Sequence, residues 1–194
     1  YVTVLKLVVL VVGETPDLKQ WKEFLNKKNA ATETVKIGLV GKYVELQDAY
    51  KSIDESLLHA AIYNDRKLDL HLFHSEKITD ENAASQLADM DGILIAPGFG
   101  QRGIEGKFSA IKFARENNKP LFGICLGMQC MVIEFARNVL GYSDANSTEM
   151  EPNTPHKVID MMEEQKTVIN LGGSMRLGAF DCVLKKDSKA FQAY

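Results

Sequence analysis

Apolar and polar positions change their period several times along the chain. Residues 1–12, "YVTVLKLVVLVV", are nearly all apolar. That run is far shorter than the roughly 20 apolar residues a membrane span needs. It has no basic leading region and no small-residue cleavage site, so it does not read as a signal peptide. A turn at Thr15-Pro16 follows, then a polar stretch predicted to form a short helix with Trp21, Phe24 and Leu25 on one side. From Thr34 the pattern becomes regular. "TVKIGLVGK" (Thr34–Lys42) is a β-rich run, and Leu46, Tyr50, Ile53, Leu57 and Ala61 then fall on one helical stripe. "LDLHLF" (Leu68–Phe73) alternates as a strand does, and Thr79 and Asp80 offer an N-cap for a helix through Ala83 and Leu87. "GILIA" (Gly92–Ala96) is an unbroken apolar run, as expected of a strand covered on both faces. It empties into the loop "PGFGQRGIEG", which leads to a helix carrying Phe108, Ile111 and Ala114. "LFGI" (Leu121–Ile124) is predicted to be a further buried strand. The helix after it runs to Leu140, with Met128, Met131, Val132, Phe135 and Val139 expected inward, and stops at Gly141. Strand and helix alternate throughout, which predicts an α/β fold: a doubly wound, mostly parallel sheet sandwich. Ligands of such sheets sit at the carboxyl ends of the strands, where "PGFG" and "GICLG" both fall. No internal repeat or low-complexity tract interrupts the pattern.

Composition narrows the function classes. With 194 residues, a formal charge of −3 and 45% hydrophobic content, the chain suits one ordinary domain with a proper core. Its mild acidity argues against nucleic acid as a partner, because a phosphate-binding face needs a clustered Lys/Arg surplus. Three cysteines without C-x-x-C spacing fit a reducing, cytoplasmic setting and make a disulfide framework or zinc site a poor reading. The chain begins with Tyr1 rather than Met, so it is read as a piece of a longer protein.

The chemistry concentrates at Cys125. "G-I-C-L-G" has the form of a nucleophile elbow, a sharp strand-to-helix turn that holds one side chain out in a strained conformation. Gly123 and Gly127 would leave room where side chains would collide with neighbouring elements. The helix that follows points its positive end at the sulfur. A thiol so placed can have its pKa lowered from roughly 8.5 into the range of about 3.5–7.5. The N–H of Leu126, just after the nucleophile, is placed to bind a developing oxyanion. The plainer alternative is a buried core cysteine, which would leave both glycines and the strand–helix boundary to coincidence. Cys130, inside the helix, and Cys182, in a strand-like run, lack these features and are read as structural.

"PLFGICLGMQCMVIEFARNVLG", "DANSTEM", "KIGLVGKYVELQDAYKSI", "GILIAPGFGQRGIEGK" and "GGSMRLGAFDC" together resemble the glutamine amidotransferase domain of the CTP synthase family, a class I (triad) glutaminase. The resemblance covers residues 34–194 as the amidotransferase domain, read as C-terminally incomplete. Residues 1–33 resemble the linker that joins a synthetase domain to it. The family implies a flavodoxin-like fold and hydrolysis of L-glutamine through a cysteine thioester. The ammonia released supplies the synthetase domain of the same protein, a ligase of pyrimidine biosynthesis that aminates UTP to CTP with ATP and Mg. GTP is implied as activator and a homo-oligomer, a tetramer, as the assembly, with no cofactor or metal in this domain and no membrane or nucleic acid as partner.

By the same resemblance Cys125 is the nucleophile, and Gly98 in "APGFG" supplies backbone that binds substrate and oxyanion. Leu126, Gly127, Met128 and Gln129 line the glutamine pocket. Glu149 in "NSTE" recognises the α-amino group, which suits the need of a buried ammonium for a fixed carboxylate. "NLGGSMRLG" (Asn170–Gly178) matches a lid segment tied to GTP, with Phe99 and Arg102 near that region. The chain departs from the family in having one glycine before Phe99, where many members have two, and Ser174 where threonine is usual. The family also places a histidine and a glutamate, spaced H-x-E, on a late strand. No H-x-E occurs in this sequence, so the chain alone is expected to hydrolyse glutamine poorly. His59, His71, His74 and His156 are not read as replacements for the missing base. Two other readings stand beside this one: another elbow-cysteine hydrolase of the same superfamily, and a non-catalytic regulatory domain of this fold.

Overall fold

A computed structural model describes residues 16–46, 48–162, 179 and 181–194. The expectations for the apolar run 1–12 and for the segment 170–178, with Ser174, lie outside the described residues. The chain divides into two units, Tyr1–Ile159 and Asp160–Tyr194.

In the first unit, helix α1 (Lys19–Ala30) leads into strand β1 (Glu33–Gly41), helix α2 (Lys51–Tyr63) and strand β2 (Arg66–His74). Helix α3 (Ala83–Leu87), strand β3 (Gly92–Ile95), helix α4 (Ile104–Glu116), strand β4 (Leu121–Gly123) and helix α5 (Leu126–Asn138) follow. β1 to β4 form one parallel sheet in the order β2-β1-β3-β4, with Leu39 opposite Leu72 on one side and Leu94 on the other, and Ile95 opposite Gly123. Alternation along the central strands divides the core. Val40, Ile93 and Ile95 pack towards Phe108, Ile111, Leu126, Cys130 and Ile133 of α4 and α5. Leu39, Leu94 and Ala96 meet Tyr50, Ile53 and Leu57 on the other side. Successive strand residues face opposite ways, so an apolar pair at each position must be covered on both faces. This is the doubly wound arrangement the sequence predicts.

α1 joins this body through stacked Trp21 and Phe24, with ring centroids 5.3 Å apart, and an edge contact of Phe24 with His59 at 5.0 Å. A two-stranded parallel sheet of β5 (Asn146–Ser147) and β6 (Lys157–Ile159) packs beside α5. In the second unit Ser188 caps the short helix α6 (Lys189–Ala193), its Oγ accepting the Phe191 N–H at 3.1 Å. Among the described residues no helix is long and apolar enough to cross a membrane.

Several local expectations need correction. Leu46 is exposed in the turn before α2, which begins only after Tyr50; Tyr50 and Ala61 are buried as expected. Thr79 and Asp80 do not cap α3. Its cap is Asn82, whose Oδ1 accepts the Thr79 N–H at 2.8 Å, while Asp80 accepts from Ser109 Oγ and Lys112 Nζ, each at 2.6 Å. β4 is not covered on both faces: among the described strands it is an edge, and Phe122 is 59% exposed. α5 is turned from the expected face. Met128, Val132, Phe135 and Val139 are exposed, and the buried positions are Leu126, Cys130, Ile133, Glu134 and Ala136. Two apolar stripes run along this helix, and period alone does not choose between them. The choice falls to Gly123 and Gly127, which set how the helix meets the sheet. His71 and His74 lie within β2 rather than flanking it, and Cys182 is exposed in irregular chain, not in a strand.

Candidate active site

Cys125 occupies the turn between β4 and α5 with φ 53° and ψ −113°, a region that a non-glycine residue enters at a cost of about 1–3 kcal/mol. The surrounding backbone holds it there. Ile124 N–H donates to Ile95 O at 3.1 Å, Gly127 N–H to Ile124 O at 2.8 Å, and Gln129 N–H to Cys125 O at 3.1 Å. Both flanking glycines are required by close approach. A Cβ on Gly127 would lie 2.1 Å from Ile95 O, and one on Gly123 would lie 2.6 Å from the backbone of Gly127 and Met128. The thiol is exposed at the N-terminus of α5. The first N–H groups of a helix have no carbonyl one turn back to receive them, so the Leu126 N–H is available beside the sulfur.

The loop after β3 packs against this elbow. A Cβ on Gly98 would stand 3.8 Å from Leu126 Cδ2 and 2.9 Å from Lys42 Cε, so Gly98 packs closely against both side chains. Lys42, buried at the end of β1, donates from Nζ to the carbonyl oxygens of Phe99 and Gly100. Gln101 reaches the other way, its Nε2 donating to Met150 O at 2.5 Å. Met150 is buried in the same cluster as Leu126. The strand-end loop, the elbow and the turn carrying Glu149 are therefore joined. Glu149 itself is exposed, with its N–H donating to Ser147 Oγ at 3.2 Å. Leu126 and Gly127 are buried, Met128 lies on the exposed face of α5, and Gln129 has its Oε1 buried with no hydrogen-bond partner among the described residues. Phe99 is exposed, and Arg102 binds Glu76 at 2.9 Å and the Lys42 carbonyl at 3.4 Å.

The other cysteine of this unit differs. Cys130 is fully buried, and burial pushes its thiol up to about 11. Beside it, burial pushes the Lys107 ammonium down to about 8, with its Nζ donating to Ala96 O at 2.6 Å. The histidines are engaged elsewhere. His59 meets Phe24, His71 Nε2 lies 3.0 Å from Asp69 without a hydrogen bond, His74 Nδ1 accepts the Glu76 N–H, and His156 pairs with Asp144 at 2.5 Å. Lys42 is the residue of this site that the sequence pattern did not single out. Its only signal was a lysine placed directly after the buried end of a strand.

The family model for class-I glutamine amidotransferases matches residues 45–194. CTP synthase of Porphyromonas gingivalis is 67% identical over 192 residues, which is 99% of this chain and 36% of that protein. CTP synthases of Bacteroides fragilis and Flavobacterium johnsoniae are 64% and 53% identical, again with 36% of each relative covered. The chain thus spans about a third of the length of these relatives. Among solved structures, the Trypanosoma brucei CTPS glutaminase domain with bound acivicin superposes with a TM-score of 0.64 at 41% identity, covering 68% of this chain and 52% of that one.

Proposed function

The chain belongs to the class-I glutamine amidotransferases, and from that membership we propose that it is the glutamine-hydrolysing part of a CTP synthase. One observation carries the chemistry: Cys125 is held at positive φ at the start of α5, next to Leu126, whose side chain packs against Gly98. In the proposed reaction the Cys125 thiolate attacks the side-chain amide carbon of glutamine, and a C–S bond forms as the carbonyl π pair moves to oxygen. Backbone N–H groups of Leu126 and of the Gly98 loop receive that oxyanion; one such donor is typically worth about 10²–10³-fold in rate. Collapse breaks the C–N bond, its pair going to nitrogen, which takes a proton from solvent water and leaves as ammonia, while a glutamyl thioester remains. Water then attacks the thioester, and glutamate and the free thiol are restored. Gln129, with an oxygen unpartnered among the described residues, and Glu149, on the turn tied to the loop by Gln101, are proposed to hold the amino acid end of the substrate.

The ammonia is proposed to pass to a synthetase part of the same protein, where ATP and Mg support amination of UTP, with GTP as activator and a cytoplasmic homo-oligomer as the working form. None of these takes part in the thioester steps. The four histidines of this chain contact Phe24, Asp69, Glu76 and Asp144, and with no histidine in contact with Cys125 among the described residues the chain by itself should label at the thiol without sustained turnover. Limiting iodoacetamide at neutral pH, followed by peptide mapping, tests the nucleophile. Cys125 should be modified ahead of Cys182, and Cys130 should stay unmodified until the chain is denatured. Preferential modification of Cys130 or Cys182 would contradict the assignment.

A further inference from the structure

We propose that Lys42 is a positioning residue of the glutaminase site, its buried ammonium locking the Phe99 and Gly100 carbonyls and so fixing the Gly98 loop against Leu126 of the elbow. The proposal rests on the glutaminase reading and adds to it a residue that never touches substrate.

Lys42 follows Gly41 at the carboxyl end of β1, a central strand, and is 4% exposed. A buried ammonium is costly unless its donors are satisfied. No carboxylate pairs with it among the described residues; instead it meets the two successive carbonyls and lies 5.8 Å from the Tyr43 ring centroid. A buried cation satisfied by loop carbonyls is an expensive way to fill space and an effective way to orient peptides. In a trans peptide the N–H runs opposite to the C=O. Holding the Phe99 and Gly100 carbonyls therefore fixes the N–H groups of Gly100 and Gln101 as well. The lysine stem adds a second constraint, because it fills the space where a Gly98 side chain would stand, 2.9 Å from a Cβ built there and on the same side as Leu126.

Lys42 is itself braced along its backbone. Its N–H donates to Tyr50 Oη at 3.1 Å, and its carbonyl accepts from Arg102 at 3.4 Å. Tyr50 is buried in the core on the α2 side of the sheet. The route from core to loop is thus short and made of fixed atoms: Tyr50, Lys42, then the peptides after Gly98. Oxyanion donors are effective only when they are already in place as charge develops, and a misplacement of about 1 Å can cost on the order of 10²-fold.

The test uses the full-length protein with Lys42→Met, which keeps the stem and removes the ammonium. The kcat for glutamine hydrolysis should fall about 10–100-fold with little change in the glutamine KM. Product formation from free ammonia and the rate of Cys125 alkylation should match wild type, since neither uses the loop donors. Lys42→Gln, which keeps one shorter donor, should fall between the two. Unchanged kcat, a change confined to KM, or equal loss with glutamine and ammonia in both variants would overturn the proposal, the last by making Lys42 a folding residue only. Failure of the underlying reading looks different: wild-type protein itself would then show no glutamine hydrolysis dependent on Cys125.

Discussion

Cys125 and Cys130 stand five positions apart on one turn-and-helix segment, yet their surroundings give them opposite characters. The first is exposed at a helix N-terminus in a strained conformation; the second is sealed in the core beside Lys107. Lys107 makes the cost of that burial measurable. Burial holds its ammonium at about 8 against an ordinary value near 10.5. Relative to the high-pH limit, its contribution to stability is therefore fully present above about 10.5 and is lost as pH falls through about 8. Cys130 acts the other way: its contribution is complete below 9.0 and is lost as pH rises through about 11. Between pH 8 and 9 the lysine dominates, so stability should rise by up to about 1 kcal/mol, as the linkage slope of one proton allows. Urea unfolding at both pH values should show that rise in wild type and lose it in Lys107→Met; an equal rise in both would refute the assignment. At this scale the elbow at Cys125 was legible because glycines spell it out: Gly127 has no room for a Cβ against Ile95 O. Lys42 and Lys107 were not legible, because a lysine in sequence carries no sign of being buried.

The two helices on the active-site side of the sheet are clamped by a bidentate pair. Arg115 Nε lies 3.1 Å from both oxygens of Glu134, its Nη2 donates to Oε1 at 2.8 Å, and Asn138 adds a further donor at 3.0 Å. Glu134 is 1% exposed, so removing its partner strands a buried carboxylate. Arg115→Ala should cost about 3 kcal/mol in chemical denaturation, and adding Glu134→Leu should recover most of that loss. No recovery in the double variant would mean that the arginine acts through packing alone. The strands and helices of the sheet were readable from period and punctuation, since β1 and β3 carry apolar residues on both faces. The facing of α5 was not. Its apolar residues form two adjacent stripes, and the backbone contact at Gly123 and Gly127 decides which one enters the core. The cap of α3 failed for a related reason: Asp80 could bind either a helix N–H or Lys112, and only the fold places that lysine 2.6 Å away.

Across the molecule, the carboxyl ends of the parallel strands gather Lys42, the Gly98 loop and Cys125, and Gln101 ties the Glu149 turn to them. The motifs that carry the family resemblance are the ones that build this corner, which is why the sequence pointed to it so directly. The exposed position of Glu149 was the part that sequence could not give, because a short turn records no burial. The central claim is that glutamine is hydrolysed through a thioester on Cys125. Acid-quenched mass spectrometry of the full-length protein mixed with glutamine tests it most directly. The account predicts a transient adduct equal to glutamine minus ammonia on the peptide containing Cys125, absent in Cys125→Ala together with glutamate release; an adduct elsewhere, or glutamine turnover that survives Cys125→Ala, would contradict it.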